Sequence, residues 1–568
     1  MATATQQNLF VEQAEYLEPE WFEAWTAEHP DEEAILRKLS QSGAKLVTGP
    51  RGSGKTTLLL KAYYRMLRDS HSAALPVYVN FKSSLKLEPL YKSNANAVYW
   101  FNQWLLLKIY QGVLSTLAEL SLAAPSTLRF SKPDVDRLTG QLELGQTELA
   151  STSSMELDIS SLEEEVHKVL EVVGKSRCVL LLDDAAHAFS AEQQRDFFDF
   201  FRQVKSRSIS PKAAIYPGVT IYSSTFHVGH DAEEIDVWLK PQSSGYIPFL
   251  MAMLERRLPP EVFQTLTADM ELLKLVCYAS FGMPRALLNM IRNFYRDTSG
   301  EQAESYEIVF NRPAALKAVK EVFDNTLSVY RSLQVKLPLY AQFVVTGEQL
   351  YMRALESVKA YNKEKLVDRQ SVTIAIQRPI PSELTKVLGF FQYSGLLMPR
   401  GEVSRGEKGV FELYAIHYAA LIERNVLLGK RSVNISEYVE ALERRHPHEF
   451  TRVNPRTLVG TRDFSDAFPL SLPPCQVCRT PRVSEAAKFC LNCGAQLKSV
   501  SAFDSIVGRG IEELPLTSTR VQKIKQHSKI RTIKDILMDH DNRELRSVPR
   551  VGPYWAKRIF AYAEEFIA

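Results

Sequence analysis

No run in the sequence approaches the roughly 18 consecutive apolar residues that a membrane-spanning helix requires, so no membrane partner is expected. The opening residues, MATATQQNLFVEQAEYLEPE, carry neither a basic segment nor an apolar stretch, and no secretory leader is expected there. Net charge is scarce too. Against 69 Lys and Arg stand 66 Asp and Glu, a formal +3, so whole-chain electrostatics single out no partner. Cysteine is sparse: six residues over 568, which excludes a disulfide-framework scaffold. Cys178 and Cys277 stand alone in apolar runs and read as core. No nuclease, protease or transferase constellation is present, and His227 and His230 beside Asp231 read as a turn. What is left is a cytoplasmic, multidomain protein of ordinary globular composition, 45% hydrophobic and 24% charged.

Residues 44–60, AKLVTGPRGSGKTTLLL, hold the strongest chemical signal. An apolar run that suits a buried strand leads into Gly49-Pro50-Arg51-Gly52-Ser53-Gly54-Lys55-Thr56, which matches G-x4-G-K-[ST]. A helical pattern opens at Thr57. The glycines let backbone N–H groups approach phosphate oxygens with no side chain in the way. The following helix aims its positive end at the same oxygens. Lys55 is expected on the β- and γ-phosphates and Thr56 on magnesium. The ligand so implied is a purine nucleoside triphosphate, ATP with Mg2+. The partner site is CVLLLDD, residues 178–184, a buried strand ending in two acids. Asp183 is assigned to the metal and Asp184 to the attacking water.

Together with these motifs, further segments resemble the AAA+ superfamily, in particular its origin-recognition-like branch and related signalling ATPases. Val77 to Phe81 looks like the second strand. AAIYPGVTIYSST, residues 213–225, looks like the strand carrying sensor 1, with Ser223 or Ser224 as its polar tip. SFGMPRALLNMI, residues 280–291, resembles the G-x-P-R signature of the helical lid and implies Arg285 as sensor 2. The family often has Asp-Glu where this chain has Asp183-Asp184. The shorter second acid implies slow, switch-like hydrolysis. Arg256 and Arg257 are arginine-finger candidates by position only.

The resemblance implies a multidomain α/β protein. Residues 1–40 pack on the core, with Trp21, Phe22 and Trp25. Residues 41–235 form the nucleotide-binding core with its parallel sheet, 236–310 the helical lid, and 311–430 a winged-helix-like domain. In the last of these a helix and strand at 385–401 lead through a charged turn, Glu402 to Gly409, into a second strand at 410–422. The alternative for that unit is a packing domain without DNA contact. Residues 121–160 read as an insertion, and the charged, Pro-containing 431–474 as a linker.

Cys475-x2-Cys478 and Cys490-x2-Cys493, eleven residues apart, form two knuckles that resemble a zinc ribbon over 475–497. Four thiolates close a tetrahedron around Zn2+ and leave no open position, so the site is structural. Residues 511–568 resemble a helix-hairpin-helix unit, and over their length the C-terminal domain of the RNA polymerase α subunit. The hairpin is Pro549-Arg550-Val551-Gly552. Arg520, Arg550, Gly552, Lys557 and Arg558 are the implied DNA contacts. The family's arginine falls on Thr519 and its asparagine on Gln522, a departure from the pattern with which the family reads the minor groove. Between 516 and 560 there are 11 Lys and Arg against 4 Asp and Glu, a local excess that attracts a polyanion.

The reading is an ATP-binding, ATP-hydrolysing AAA+ protein that engages DNA, with a protein partner or self-association also expected. Two alternatives remain: a signalling ATPase that controls an effector, as in bacterial defence, and a zinc-stabilised adaptor.

Overall fold

The computed structural model describes residues 14–567 apart from 94–95, 126–127, 148–156, 186–189, 298–305, 364, 367–368, 428–433, 444–449, 461–462, 483–486, 488, 498–501 and 550. Arg550 therefore lies outside the described residues, as does part of the 121–160 insertion. No helix among the described residues is long and apolar enough to cross a membrane.

Five parallel strands form the central sheet: β1 (Lys45–Thr48), β2 (Ala74–Asn80), β3 (Arg177–Asp183), β4 (Ile209–Ile215) and β5 (Glu233–Asp236), in the order β2-β3-β4-β1-β5. Both faces are covered, which is why β3 is an unbroken apolar run and not an alternating one. Leu180 and Leu182 point to one face and Val179 and Leu181 to the other. Helices α1 (Pro19–Trp25), α2 (Glu32–Ser40) and α3 (Lys55–Arg68) lie at the N-terminal side of the chain, α2 and α3 on the second face. The first face is covered by α4 (Ala97–Glu119) and α5 (Ala191–Val204). Phe197, Phe198 and Phe201 of α5 are buried there, each worth about 2 kcal/mol. Gly112 lets α4 touch β2, because a Cβ there would meet the Tyr78 carbonyl at 2.9 Å.

Beyond the sheet, α6 (Tyr246–Arg257) and α7 (Pro284–Arg292) fall in the segment expected to be the lid. Then come α8 (Arg312–Lys336), α9 (Ala341–Lys363), β6 (Thr373–Gln377), α10 (Ser382–Ser394), β7 (Leu397–Ser404), β8 (Val410–Ile416), α11 (Ile435–Glu443) and β9 (Thr451–Val453). Strands β6–β9 form a second sheet, ordered β9-β6-β8-β7. Strands β7 and β8 form an antiparallel hairpin in the unit expected to be winged, and Arg378 ties its strands by pairing with both Glu402 and Glu412. The strand expected over 410–422 stops at Ile416, and Tyr418–Glu423 is helical.

Two expectations change. Residues 431–474 are not a linker: β9 pairs in parallel with β6, and Tyr438, Val439, Leu442, Leu458 and Phe468 are buried. Twelve charged residues and five prolines among its 44 positions give the segment a linker's composition. Nor does a boundary divide lid from winged unit, since Leu250, Met283, Leu288, Tyr330, Tyr393 and Tyr418 share one core.

The C-terminal unit has its own core, built from α12 (Ser518–His527), α13 (Arg543–Ser547), α14 (Pro553–Ile567) and neighbouring turns. It rests against the rest of the protein: Val335 of α8 packs into that core, and the Phe503 amide donates to Glu88 at 2.7 Å.

A backbone-to-backbone contact helps join the first sheet to α10. Gly218, in the loop after β4, meets Gly389 of α10 backbone to backbone. A Cβ on Gly389 would lie 2.7 Å from the Gly218 Cα. Alanine gains about 1 kcal/mol of helix propensity over glycine. Overpacking costs about 1–3 kcal/mol, so the clash decides the sign. Gly389→Ala is expected to lower the midpoint of chemical denaturation, and an unchanged or raised midpoint would show that the two backbones do not meet.

Candidate functional site

The residues after β1 turn back on themselves to start α3. Gly52 and Gly54 take left-handed backbone angles, φ +84° and +95°. Gly52 must also stay small, because a Cβ would stand 3.2 Å from the Cβ of Arg285. That closeness sets Arg285, at the start of α7, directly against the phosphate loop. Lys55 is buried, and its Nζ donates to the carbonyls of Gly49 (2.8 Å) and Pro50 (3.1 Å). Burial pushes its pKa down to about 7, against the pull of Asp184 and Asp183. Arg51, Gly52, Ser53, Gly54, Lys55, Thr56 and Thr57 all line one cleft, shared with Asp184 and Arg285.

The acids sit at the end of β3. Asp183 is buried, accepts from the Tyr78 hydroxyl at 2.8 Å, and lies within hydrogen-bonding reach of the Thr56 hydroxyl. Burial, then the charge of Asp184, raise its pKa above the usual carboxylate range. A buried carboxylate beside a second acid and a hydroxyl is the setting that a hard divalent cation relieves. Thr56 and Asp183 therefore fit Mg2+. Asp184 adopts a left-handed backbone, φ +50°, which swings it off the strand.

The sensor expectation is corrected. Strand β4 ends at Ile215, because Pro217 and Gly218 turn the chain there. Ser224 lies beyond the turn, exposed, and does not line the cleft; Ser223 is buried against Thr225. The polar group at the strand tip is Tyr216. Its hydroxyl donates to Asp184 Oδ1 at 2.9 Å, and Lys55 Nζ stands 3.8 Å from its ring centroid. Because β4 lies between β1 and β3, this tip necessarily falls between lysine and acids.

Arg256 and Arg257 are both engaged by main-chain carbonyls of the N-terminal segment. Arg256 donates to the Thr26 carbonyl at 2.6 Å and Arg257 to that of Trp25 at 2.7 Å, so both hold the segment after α1 to α6.

The four ribbon cysteines converge, with every Sγ within 4.8 Å of the others. Cys475 and Cys493 are 3.5 Å apart, as are Cys478 and Cys490. The knuckles repeat one geometry: the Arg479 amide returns to the Cys475 carbonyl at 2.8 Å, and the Gly494 amide to that of Cys490 at 2.9 Å. Arg479 and Gly494 are both left-handed. A hydrogen bond with Thr480 helps pull the Cys478 thiol down to about 6. Four sulfurs converging at these distances fit a tetrahedral Zn2+.

In the C-terminal unit, Arg520 and Arg558 are brought to one aromatic side chain that sequence reasoning passed over. Arg520 Cζ lies 3.4 Å and Arg558 Cζ 5.4 Å from the Trp555 ring centroid. Arg558 also donates to the Tyr562 hydroxyl at 2.7 Å. Lys557 and Gly552 are exposed, and nothing stands within 4 Å of where a Gly552 Cβ would be.

No family model and no curated protein matches the sequence. Among solved structures the chain is similar to a Walker-type ATPase of Pyrococcus abyssi, at 13% identity over 71% of this chain and 99% of that one, TM-score 0.37. It is also similar to the Orc1 protein of Aeropyrum pernix in complex with DNA (15%, 74% and 96%, 0.28) and to Cdc6p of Pyrobaculum aerophilum (12%, 75% and 99%, 0.26). At these scores the chain's own residues carry the functional reading.

Elemental analysis of protein purified without added metal is expected to give about one zinc per chain. Cys478→Ser and Cys490→Ser should each lose it. Full zinc content in either variant would contradict a four-thiolate site.

Proposed function

We propose that this chain is an ATP-dependent switch of AAA+ type that binds Mg-ATP, hydrolyses it slowly and engages DNA according to its nucleotide state. One observation carries the reading: Lys55, Thr56, Asp183, Asp184 and Tyr216 converge at the ends of neighbouring parallel strands, with Arg285 of the lid against the same loop. The cation, when bound, neutralises charge on the phosphate oxygens. Lys55 and the loop amides orient the triphosphate, and Arg285 meets its terminal phosphate. Asp184 is the base for water. The Tyr216 hydroxyl holds one of its oxygens, which favours a slow reaction over a fast one.

The switch needs a route out of the site. The Tyr216 ring packs edge-on against Tyr393 of α10, 5.6 Å between centroids, two residues before Gly218 meets Gly389. A shift of Tyr216 when Asp184 takes up water is felt by the winged unit. A nucleotide moves that equilibrium only by binding one arrangement better than the other. The basic C-terminal unit, with its Arg520–Trp555–Arg558 stack and open Gly552, supports contact with the nucleic-acid backbone. The four-cysteine site is the rigid spacer before it.

Fluorescence anisotropy of labelled duplex DNA, with ATP, ADP or no nucleotide, tests the reading. Affinity is expected to fall steeply as salt rises and to differ between ATP and ADP, with Lys55→Ala abolishing the difference. Equal affinity in every nucleotide state would make the tail a separate anchor, and no DNA binding at low salt would favour the signalling or adaptor alternative.

Tyr216→Phe removes one hydrogen bond to Asp184. It is expected to change turnover by about tenfold while ATP affinity stays within about twofold. Equal loss of both would mean that Tyr216 only supports the fold.

A further inference from the structure

The C-terminal unit is gripped by two different bodies of the protein. The first is the parallel sheet. Where β2 ends, the Phe81 amide donates to the Asp183 carbonyl at 3.0 Å, and Lys82 lines the cleft. Leu87 and Leu90 are then buried in the core on the sheet's first face. Glu88 lies between them in the chain and is only 5% exposed. Its Oε2 accepts from the Phe503 amide at 2.7 Å, across 415 residues. That amide belongs to the first turn of the short helix Ala502–Val507, where amides have no partner within their own helix. The sheet body thus caps a helix of the C-terminal unit. Glu564 of α14 leans the same way: Lys82 and Lys86 act on its carboxyl, with Glu15 and Glu143 opposing them.

The second body is the one that carries the second sheet. Val319, Phe323, Leu327, Tyr330 and Leu333 of α8 lie in the core shared with α6, α7 and that sheet. Val335, near the end of the same helix, packs into the core of the C-terminal unit, and α8 runs against the Ala502–Val507 helix. One short helix is therefore held from both sides of the boundary that the proposed switch moves. A hydrogen bond at 2.7 Å is lost once its atoms separate beyond about 3.5 Å, so even a small shift of one body against the other loosens a grip. Lys557 and Gly552 stay exposed while the unit is docked. Docking leaves that end of the unit open and fixes where it points.

We propose that the Glu88–Phe503 contact is a clasp, opened when the nucleotide shifts the second-sheet body against the first sheet, so that the C-terminal unit is freed to reorient. The proposal rests on the nucleotide switch and names the contact through which it reaches the C-terminal unit. The magnitudes match. A hydrogen bond to a carboxylate shifts an equilibrium about tenfold to a hundredfold, and ligand coupling between sites is commonly about 5- to 150-fold.

Hydrogen exchange of the Ala502–Val507 amides in the full chain tests this, without nucleotide, with Mg-ADP and with Mg-bound β,γ-imido-ATP. Exchange reports the opening equilibrium of the segment. In the wild type it is expected to differ about tenfold between the two nucleotides. Glu88→Ala should speed nucleotide-free exchange about tenfold and abolish that difference, with exchange in β3 and nucleotide affinity unchanged. Glu88→Gln, which keeps an acceptor, should fall between the two. Val335→Ser, on the other grip, should speed exchange as well. Unchanged exchange in both Glu88→Ala and Val335→Ser overturns the clasp. So does wild-type exchange that is equal in all three states while calorimetry shows nucleotide bound, and in that case the nucleotide site stands. Wild type that binds neither nucleotide overturns the nucleotide reading and the coupling with it.

Discussion

A buried lysine facing two carboxylates at the end of a parallel sheet is the constraint on which the rest of this structure depends. Lys55 has left water, and burial works against its charge. Asp183 has left water too, and it shares its surroundings with Asp184. Neither half is comfortable alone. The lysine gains from a polyanion and the acids gain from a cation, and a magnesium-bound triphosphate supplies both at the separation that the strands impose. The fold keeps these groups apart by inserting β4 between β1 and β3, and it fills the gap with Tyr216.

In the proposed switch, the same strand order gives the site its outlet. A tyrosine that touches both Lys55 and Asp184 registers what lies between them. Its chain then turns through Pro217 and Gly218 into the winged unit, where two glycines allow contact without side chains in between. Such a contact has little room to deform, since packed backbones shift as units and do not yield by side-chain motion. Residues of the expected lid and of the second sheet's unit share one hydrophobic core, the body that the proposed switch would move.

The phosphate loop is legible in the sequence because its chemistry is local: loop, lysine and helix are consecutive, and the amide geometry requires those glycines. The cysteine knuckles are legible for the same reason. Tyr216 is not, since its role comes from the neighbours that the strand order gives it, and a tyrosine after an apolar strand has no signature of its own. The segment 431–474 misleads because its strand, β9, is too short for periodicity and its helix, α11, shows charge on the outer face while Tyr438, Val439 and Leu442 go inward.

Calorimetric titration of Mg-ATP into the full chain and into Lys55→Ala tests the central claim most directly. The account predicts one site per chain in the wild type and a loss of at least about a hundredfold in affinity for the variant, because a charge-assisted contact to phosphate is removed from a buried site. Equal affinity in the two proteins would contradict it.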